Sequence, residues 1–322
     1  MEQSFQIFYE FVWGFWPGIL VVFGLGFCVG FLASFLGLGG GFIYTPFFHS
    51  FFYLSAVQAV AVSLAQMPVS ALSGLYVYYQ NKKIRWKQGF LLLSTSIPSA
   101  QYTAYAFGRF EDTTLGKQLY YGIPFSEFVY LFVFTIFLGI LAVYNLIAAL
   151  KKRKKYYDLV SKSSLHFIQE TKEKPNGLST QTNSVEINTT EERAEFLITQ
   201  KSVVIVLLVG VFFGMFSSLF GIGGGFLAVP LFIYYFRMSP VEAVATSFLG
   251  IFLTSFGTTM QFFLLGKLHW ELALIGSFGG IFGARIGSLK AVNAKPYTIL
   301  FVTSFFQFLV VGWYLVAKLP KF

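Results

Sequence analysis

Charge is scarce in this sequence. Only 11% of the 322 residues are Asp, Glu, Lys or Arg, where soluble domains carry about a quarter. Cysteine occurs once, as Cys28, which excludes an internal disulfide and every Cys-x-x-Cys chemistry. Set in an apolar run, Cys28 reads as small packing filler. Carboxylates are missing from the middle of the apolar segments, since Glu127, Glu242 and Glu271 fall at segment ends. The three histidines lie far apart in sequence. No acid/base pair, metal cluster or serine with a neighbouring histidine can be assembled, and nucleophilic catalysis needs such a base. The chain therefore reads as a non-enzyme without cofactor or metal. A basic region is also lacking after Met1-Glu2-Gln3, so the first apolar segment is expected to stay as a membrane helix rather than leave as a signal.

What is present is apolar. Hydrophobic residues make up 56% of the chain, more than a soluble fold of this length could bury, so lipid is its natural solvent. The net charge of +9 would suggest nucleic acid in a soluble protein. Here most basic residues sit between apolar runs, as the positive-inside rule expects, so the partners are membrane lipid and a small solute, not nucleic acid.

A spanning helix needs about 20 apolar residues. Such runs lie near Gly18–Leu36, Ala56–Tyr79, Trp86–Phe107 and Phe125–Leu150, and again near Ser202–Phe220, Val241–Leu265, Trp270–Leu289 and Tyr297–Ala317. Two shorter pieces, Phe42–Leu54 with Pro46 and Phe226–Phe236 with Pro230, predict broken or re-entrant helices. The count is eight or ten, depending on whether these cross. The organisation expected is a first membrane unit over 1–150, a flexible cytoplasmic linker over 151–200 and a second unit over 201–322. The linker opens on Lys151-Lys152-Arg153-Lys154-Lys155, a run suited to anionic headgroups. If the short pieces cross, an outside N-terminus puts Lys82, Lys83, Arg85 and Lys87, the linker, and Arg285, Lys290 and Lys295 all on the cytoplasmic side. The two halves then have opposite topology.

An internal repeat supports two units. Gly30-Phe31-Leu32-Ala33-Ser34-Phe35-Leu36-Gly37-Leu38-Gly39-Gly40-Gly41-Phe42 returns as Gly214-Met215-Phe216-Ser217-Ser218-Leu219-Phe220-Gly221-Ile222-Gly223-Gly224-Gly225-Phe226. From Gly30 to Gly214 the shift is 184 residues. The same shift brings Pro46 onto Pro230, Ser63 onto Ser247, Lys83 onto Lys267 and Trp86 onto Trp270. Glycine-broken segments at matching places in two repeats point to a transporter's binding site, because free N–H groups before a new helix polarise the break towards anions. The alternative is that the glycines only permit tight helix crossing.

The motifs Gly37-Leu38-Gly39-Gly40-Gly41-Phe42 … Pro46 and Gly221-Ile222-Gly223-Gly224-Gly225-Phe226 … Pro230, with Gly283-Ala284-Arg285, resemble the sulfite exporter TauE/SafE family. The resemblance covers nearly the whole chain outside the linker. It implies a plasma-membrane carrier of small sulfur-containing anions such as sulfite, sulfonates or thiosulfate. The first unit departs from it, with Ser99-Ala100-Gln101 where the second has Gly283-Ala284-Arg285.

The fold expected is thus an all-α integral membrane protein of two homologous, inverted helical repeats. The substrate site expected comprises Gly39, Gly40, Gly41, Gly223, Gly224 and Gly225, the repeated serines Ser34, Ser218, Ser63 and Ser247, and Arg285. Each serine could instead bond its own helix, and Arg285 could instead snorkel to the cytoplasmic surface. Gln66 and Gln261 read as polar glue, and His49 as a satisfied core histidine. The function expected is export of a small oxyanion or organosulfonate by alternating access; a channel-like pore and a non-transporting receptor or scaffold are the rival readings.

Overall fold

The computed structural model describes residues 16–173 and 200–317, apart from 38, 121, 293 and 295. Helices dominate it. The first unit holds α1 (Trp16–Leu36), α2 (Gly41–Phe51), α3 (Ala56–Gln80), α4 (Trp86–Asp112), a turn of helix α5 (Thr114–Lys117), the two-residue strands β1 (Leu119–Tyr120) and β2 (Ile123–Pro124), and α6 (Phe125–Glu173). The second holds α7 (Gln200–Phe220), α8 (Gly225–Pro230) continuing as a π-helix over Leu231–Tyr235, α9 (Pro240–Leu264), α10 (Trp270–Val292) and α11 (Pro296–Ala317). Six helices, α1, α3, α6, α7, α9 and α10, are long and apolar enough to cross a membrane. Large apolar side chains such as Leu20, Leu72, Ile140, Leu208, Phe263 and Phe278 remain exposed, as lipid-facing surfaces require. None of the buried polar side chains among the described residues is Asp, Glu, Lys or Arg.

Local sequence explains the boundaries. Ser55 caps α3 and Ser239 caps α9, each in a reciprocal capping box, with Gln58 and Glu242; this arrangement satisfies N–H groups that a helix start leaves open. Gly37 and Gly221 end α1 and α7 with φ of 70° in both, a conformation glycine adopts without steric cost. The two short elements differ. α2 runs through Pro46 as an α-helix, whereas the chain after Pro230 widens into a π-helix.

Two expectations need correction. A flexible linker is expected from residue 151, yet α6 runs on to Glu173; Lys, Arg, Glu and Gln are good helix formers. Residues 174–199 lie outside the described residues. Cys28 is exposed on α1, so it fills no core position.

Packing is close because glycine lets backbones meet. A Cβ on Gly30 would lie 2.6 Å from the Gly280 carbonyl oxygen, and one on Gly283 or Gly287 would strike the Phe27 or Phe31 carbonyl. These contacts rise together along α1 and α10, which therefore run side by side in one direction. The same holds for α3 and α10, where Gln66 faces Gly276 and Ser73 Oγ donates to the Ile281 carbonyl (2.9 Å). On the other flank, Thr95 donates to Leu207 O (2.8 Å), Ser99 to Val211 O (2.7 Å) and Ser218 to Ala100 O (2.7 Å). Those bonds make α4 and α7 parallel neighbours. Between the flanks lie α3 and α9, the most buried of the six long apolar helices. Outside them, α6 and α11 are tied by Asn145 Nδ2 to Gln307 Oε1 (3.0 Å) and Ser304 Oγ to Ala142 O (3.0 Å).

Candidate functional site

The two glycine breaks lie against each other at the centre of the molecule. A Cβ on Gly39 would run into the Ile222 carbonyl, and one on Gly41 into that of Gly221. Gly39, Gly223 and Gly224 hold φ of 77°, 78° and 74°, so conformation and close approach both demand glycine there.

Each break is strapped by the opposite unit. Ser63 Oγ on α3 donates to the Gly221 carbonyl at 3.1 Å, and its counterpart Ser247 on α9 shares its proton between Gly37 O, also at 3.1 Å, and the Val244 carbonyl of its own helix at 2.8 Å. Thr45 Oγ1 adds a bond to Phe220 O (3.3 Å). Carbonyls that a helix end leaves open are thereby satisfied inside the protein.

The remaining serines differ. Ser218 Oγ donates to Ala100 O and lies 3.3 Å from Thr258 Oγ1. Ser34 is 0% exposed, and its hydroxyl makes no hydrogen bond among the described residues. It borders a small, partly open cleft of about 10 Å³, room for about one water molecule, along with Gly39, Gly40, Tyr44, Met67 and Phe248. Beside this cleft α2 begins, with Gly40 as its N-cap. First-turn N–H groups have no partner within a helix, and the dipole favours negative charge there. Gln66, 1% exposed, also leaves both amide atoms without a hydrogen bond; it was read as polar glue, but Gly276 opposite it offers no side chain to bond.

The other expected residues fall elsewhere. Gly223 packs beneath Met67 (a Cβ would lie 2.9 Å from its Sδ) and Ile251. Gly224 caps α8, which starts at Gly225 and has only six residues. Arg285 is exposed on α10, away from the face where Gly283 and Gly287 meet α1, and it does not border the cleft. His49 is buried, with Nδ1 2.9 Å from the Leu54 carbonyl. Among the described residues no three His, Cys, Asp or Glu side chains stand close enough to hold a metal ion. The orphaned Gln66 amide was the feature least visible beforehand; its only signal was a glutamine inside an apolar run.

Ion pairs mark the helix ends. Arg85 Nη2 lies 3.0 Å from Glu242 Oε1. Lys267, in the loop between α9 and α10, reaches Glu111 Oε2 (2.9 Å) and Asp112 Oδ1 (2.8 Å) at the end of α4. Burial works against the Lys267 charge, but the two carboxylates prevail and hold its pKa above the ordinary lysine value.

Comparison with known proteins places this architecture. The chain is 28% identical over 290 residues to the probable membrane transporter protein YunE of Bacillus subtilis, covering 87% of this chain and 89% of that protein. It is 25% identical over 286 residues to the probable membrane transporter protein MJ0441 of Methanocaldococcus jannaschii, covering 84% of each. A probable membrane transporter protein of Xylella fastidiosa matches a shorter stretch, 38% identical over 87 residues, which is 26% of this chain and 33% of that protein. No solved structure matches. The sulfite exporter TauE/SafE family model matches residues 22–314, nearly all of the described helices, and the chain belongs to that family of membrane transporters.

Proposed function

We propose that this transporter moves small sulfur-containing oxyanions or organosulfonates, of the sulfite, thiosulfate and sulfoacetate class, out of the cell across the plasma membrane. The observation that carries the reading is the cleft at the glycine breaks. There Gly40, the N-cap of α2, and the unpartnered Ser34 hydroxyl border the same space, and no charged side chain borders it. Neutral donors and a helix N-terminus suit a small anion, which can leave again because no fixed cation holds it. The family description points the same way.

Access alternates by one unit rocking against the other. Helix directions support an inverted arrangement. α1, α3 and α10 run one way by their shared registers. α4 and α7 share the other direction with α9, since Gly89 meets Leu249 and Gly108 meets Leu265. The repeat shift carries α1 onto α7, α3 onto α9 and α4 onto α10. Each helix thus maps onto one of opposite direction, as in carriers built from inverted repeats.

The test is uptake and exchange of labelled sulfite, thiosulfate and sulfoacetate by proteoliposomes, with sulfate and chloride as controls. Saturable flux of a sulfur oxyanion with counterflow is expected. Unsaturable current would mean a channel, and no flux of any of these anions would remove the substrate class.

A further inference from the structure

The repeat predicts two equivalent clefts, one at each glycine break, and the side chains oppose that equivalence. At the position of Val29 in the first unit, the second carries Phe213; at the position of Gln66 it carries Gly250. Phe213 is fully buried. Its ring occupies the space over the second break: a Cβ on Gly224 would lie 2.8 Å from Phe213 Cε1, and one on Gly250 3.2 Å from its Cζ. In the first unit the smaller Val29 stands in the same place, its Cγ1 against the position of a Cβ on Gly40, and the small cleft opens beside it. The hydrogen bonds follow the same asymmetry. Ser34 is unpartnered beside the cleft, while Ser218 gives its proton to the Ala100 carbonyl. The helix starts differ too: the N-cap of α2, Gly40, has φ of −86°, and that of α8, Gly224, has φ of 74°.

We propose that the chain has a single anion-binding cleft, on the Ser34 side of the breaks, and that Phe213 fills its counterpart. This rests on reading the chain as a small-anion carrier. The ligand is a small oxyanion, held by the Ser34 hydroxyl and the backbone of Gly39 and Gly40 that borders the cleft at the start of α2. A phenyl ring offers an oxyanion no donor, and it excludes water from the second break, whose carbonyls are already strapped by Ser63. One unit therefore binds, and the other serves as the surface against which it moves.

The test uses the full chain in membranes, with Cys28→Ala as background, and a small negatively charged methanethiosulfonate as thiol probe. Ser34→Cys should be modified at least tenfold faster than Ser218→Cys, and excess sulfoacetate should slow the Ser34→Cys reaction at least threefold. Adding Phe213→Val to Ser218→Cys should raise its rate at least tenfold. Equal rates at positions 34 and 218 in the Phe213 background would overturn the proposal, even if the Phe213→Val variant fails to insert. Absence of protection by sulfoacetate would likewise overturn it, by making the cleft a packing gap. Sulfur-oxyanion flux by the unmodified chain is scored separately. Asymmetric labelling without flux removes the carrier reading and leaves one cleft, whereas normal flux with symmetric labelling does the reverse.

Discussion

Four serines repeat between the units, and their hydroxyl protons set their roles. Ser63 and Ser218 each donate to a carbonyl of another helix or break, Ser247 shares its proton between Gly37 O and its own helix, and Ser34 donates to nothing described. Ser34→Ala should therefore lower sulfur-oxyanion flux at least tenfold with little change in thermal stability, since no intramolecular bond is lost; one hydrogen bond to a charged ligand is worth about 1.5–3 kcal/mol. Transport and unfolding of the same preparation measure both. Ser63→Ala should do the opposite in kind. It leaves the buried Gly221 carbonyl without its donor and should cost roughly 1 kcal/mol of stability, read as a lowered midpoint of unfolding in mixed micelles. Sequence alone could find the four serines but could not separate them. Which hydroxyl is spent depends on whether a carbonyl such as Ala100 O comes within reach, and that follows from helix packing rather than from local pattern. Arg285 fails to reach the cleft for a related reason. Its helix turns Gly283 and Gly287 towards α1, which leaves the arginine on the outward face.

At the scale of elements the sequence was far more legible. Apolar runs bounded by glycine, proline or lysine mark α1, α3, α7, α9 and α11 to within a few residues, because lipid forces each run to satisfy its own backbone. The extension of α6 to Glu173 was not legible, since a solvated polar helix needs no periodic apolar face. Nor was the difference between α2 and the π-helical end of its counterpart, which both follow a proline. Close helix pairing can be tested at Gly30. Leucine there would have to displace the Gly280 backbone, only 2.6 Å from the new Cβ, so Gly30→Leu should prevent stable folding, read as loss of monodisperse protein in detergent. The loop between α9 and α10 offers a test in pH. Lys267 has its pKa raised in the folded state by Glu111 and Asp112, against the opposing effect of burial. Its contribution to stability is fully present below the unfolded lysine value of about 10.4 and fades as pH rises through the higher folded value. Unfolding midpoints above pH 10 should thus fall for the unaltered chain. Lys267→Met should be less stable at neutral pH and show less of that alkaline decline. An equal decline in both would assign the sensitivity to other groups.

The whole molecule joins a neutral interior, among the described residues, to charge near its helix ends, and for the proposed carrier that division has an energetic consequence. The buried polar side chains described include no Asp, Glu, Lys or Arg, and the cleft is bordered by hydroxyl, backbone and apolar groups. Among the described residues, no charged side chain borders the cleft to compensate the charge of an anion bound there. The anion's charge must then cross the membrane field itself. A potential of 100 mV contributes about 2.3 kcal/mol per elementary charge. With the interior negative, it drives a monoanion outward by roughly fortyfold, and a dianion further, without a coupled ion. Concentrative import of an anion against that potential would need a coupled ion. Efflux should accordingly be electrogenic, rising with an inside-negative potential and persisting without a proton or sodium gradient. Oriented proteoliposomes loaded with sulfite, clamped with potassium and valinomycin, measure this directly; the potential should change the initial rate several-fold. Orientation can be fixed in the same preparation. The positive-inside rule predicts a cytoplasmic face for the basic clusters at 82–87 and 285–295, so a membrane-impermeant thiol probe added outside cells should miss cysteines at 82 and 87. Flux that ignores voltage but stops without a proton or sodium gradient would mean that the compensating charge travels with the substrate. The neutral cleft would then bind an anion together with its counter-ion, and the chain would work as a coupled importer or electroneutral exchanger.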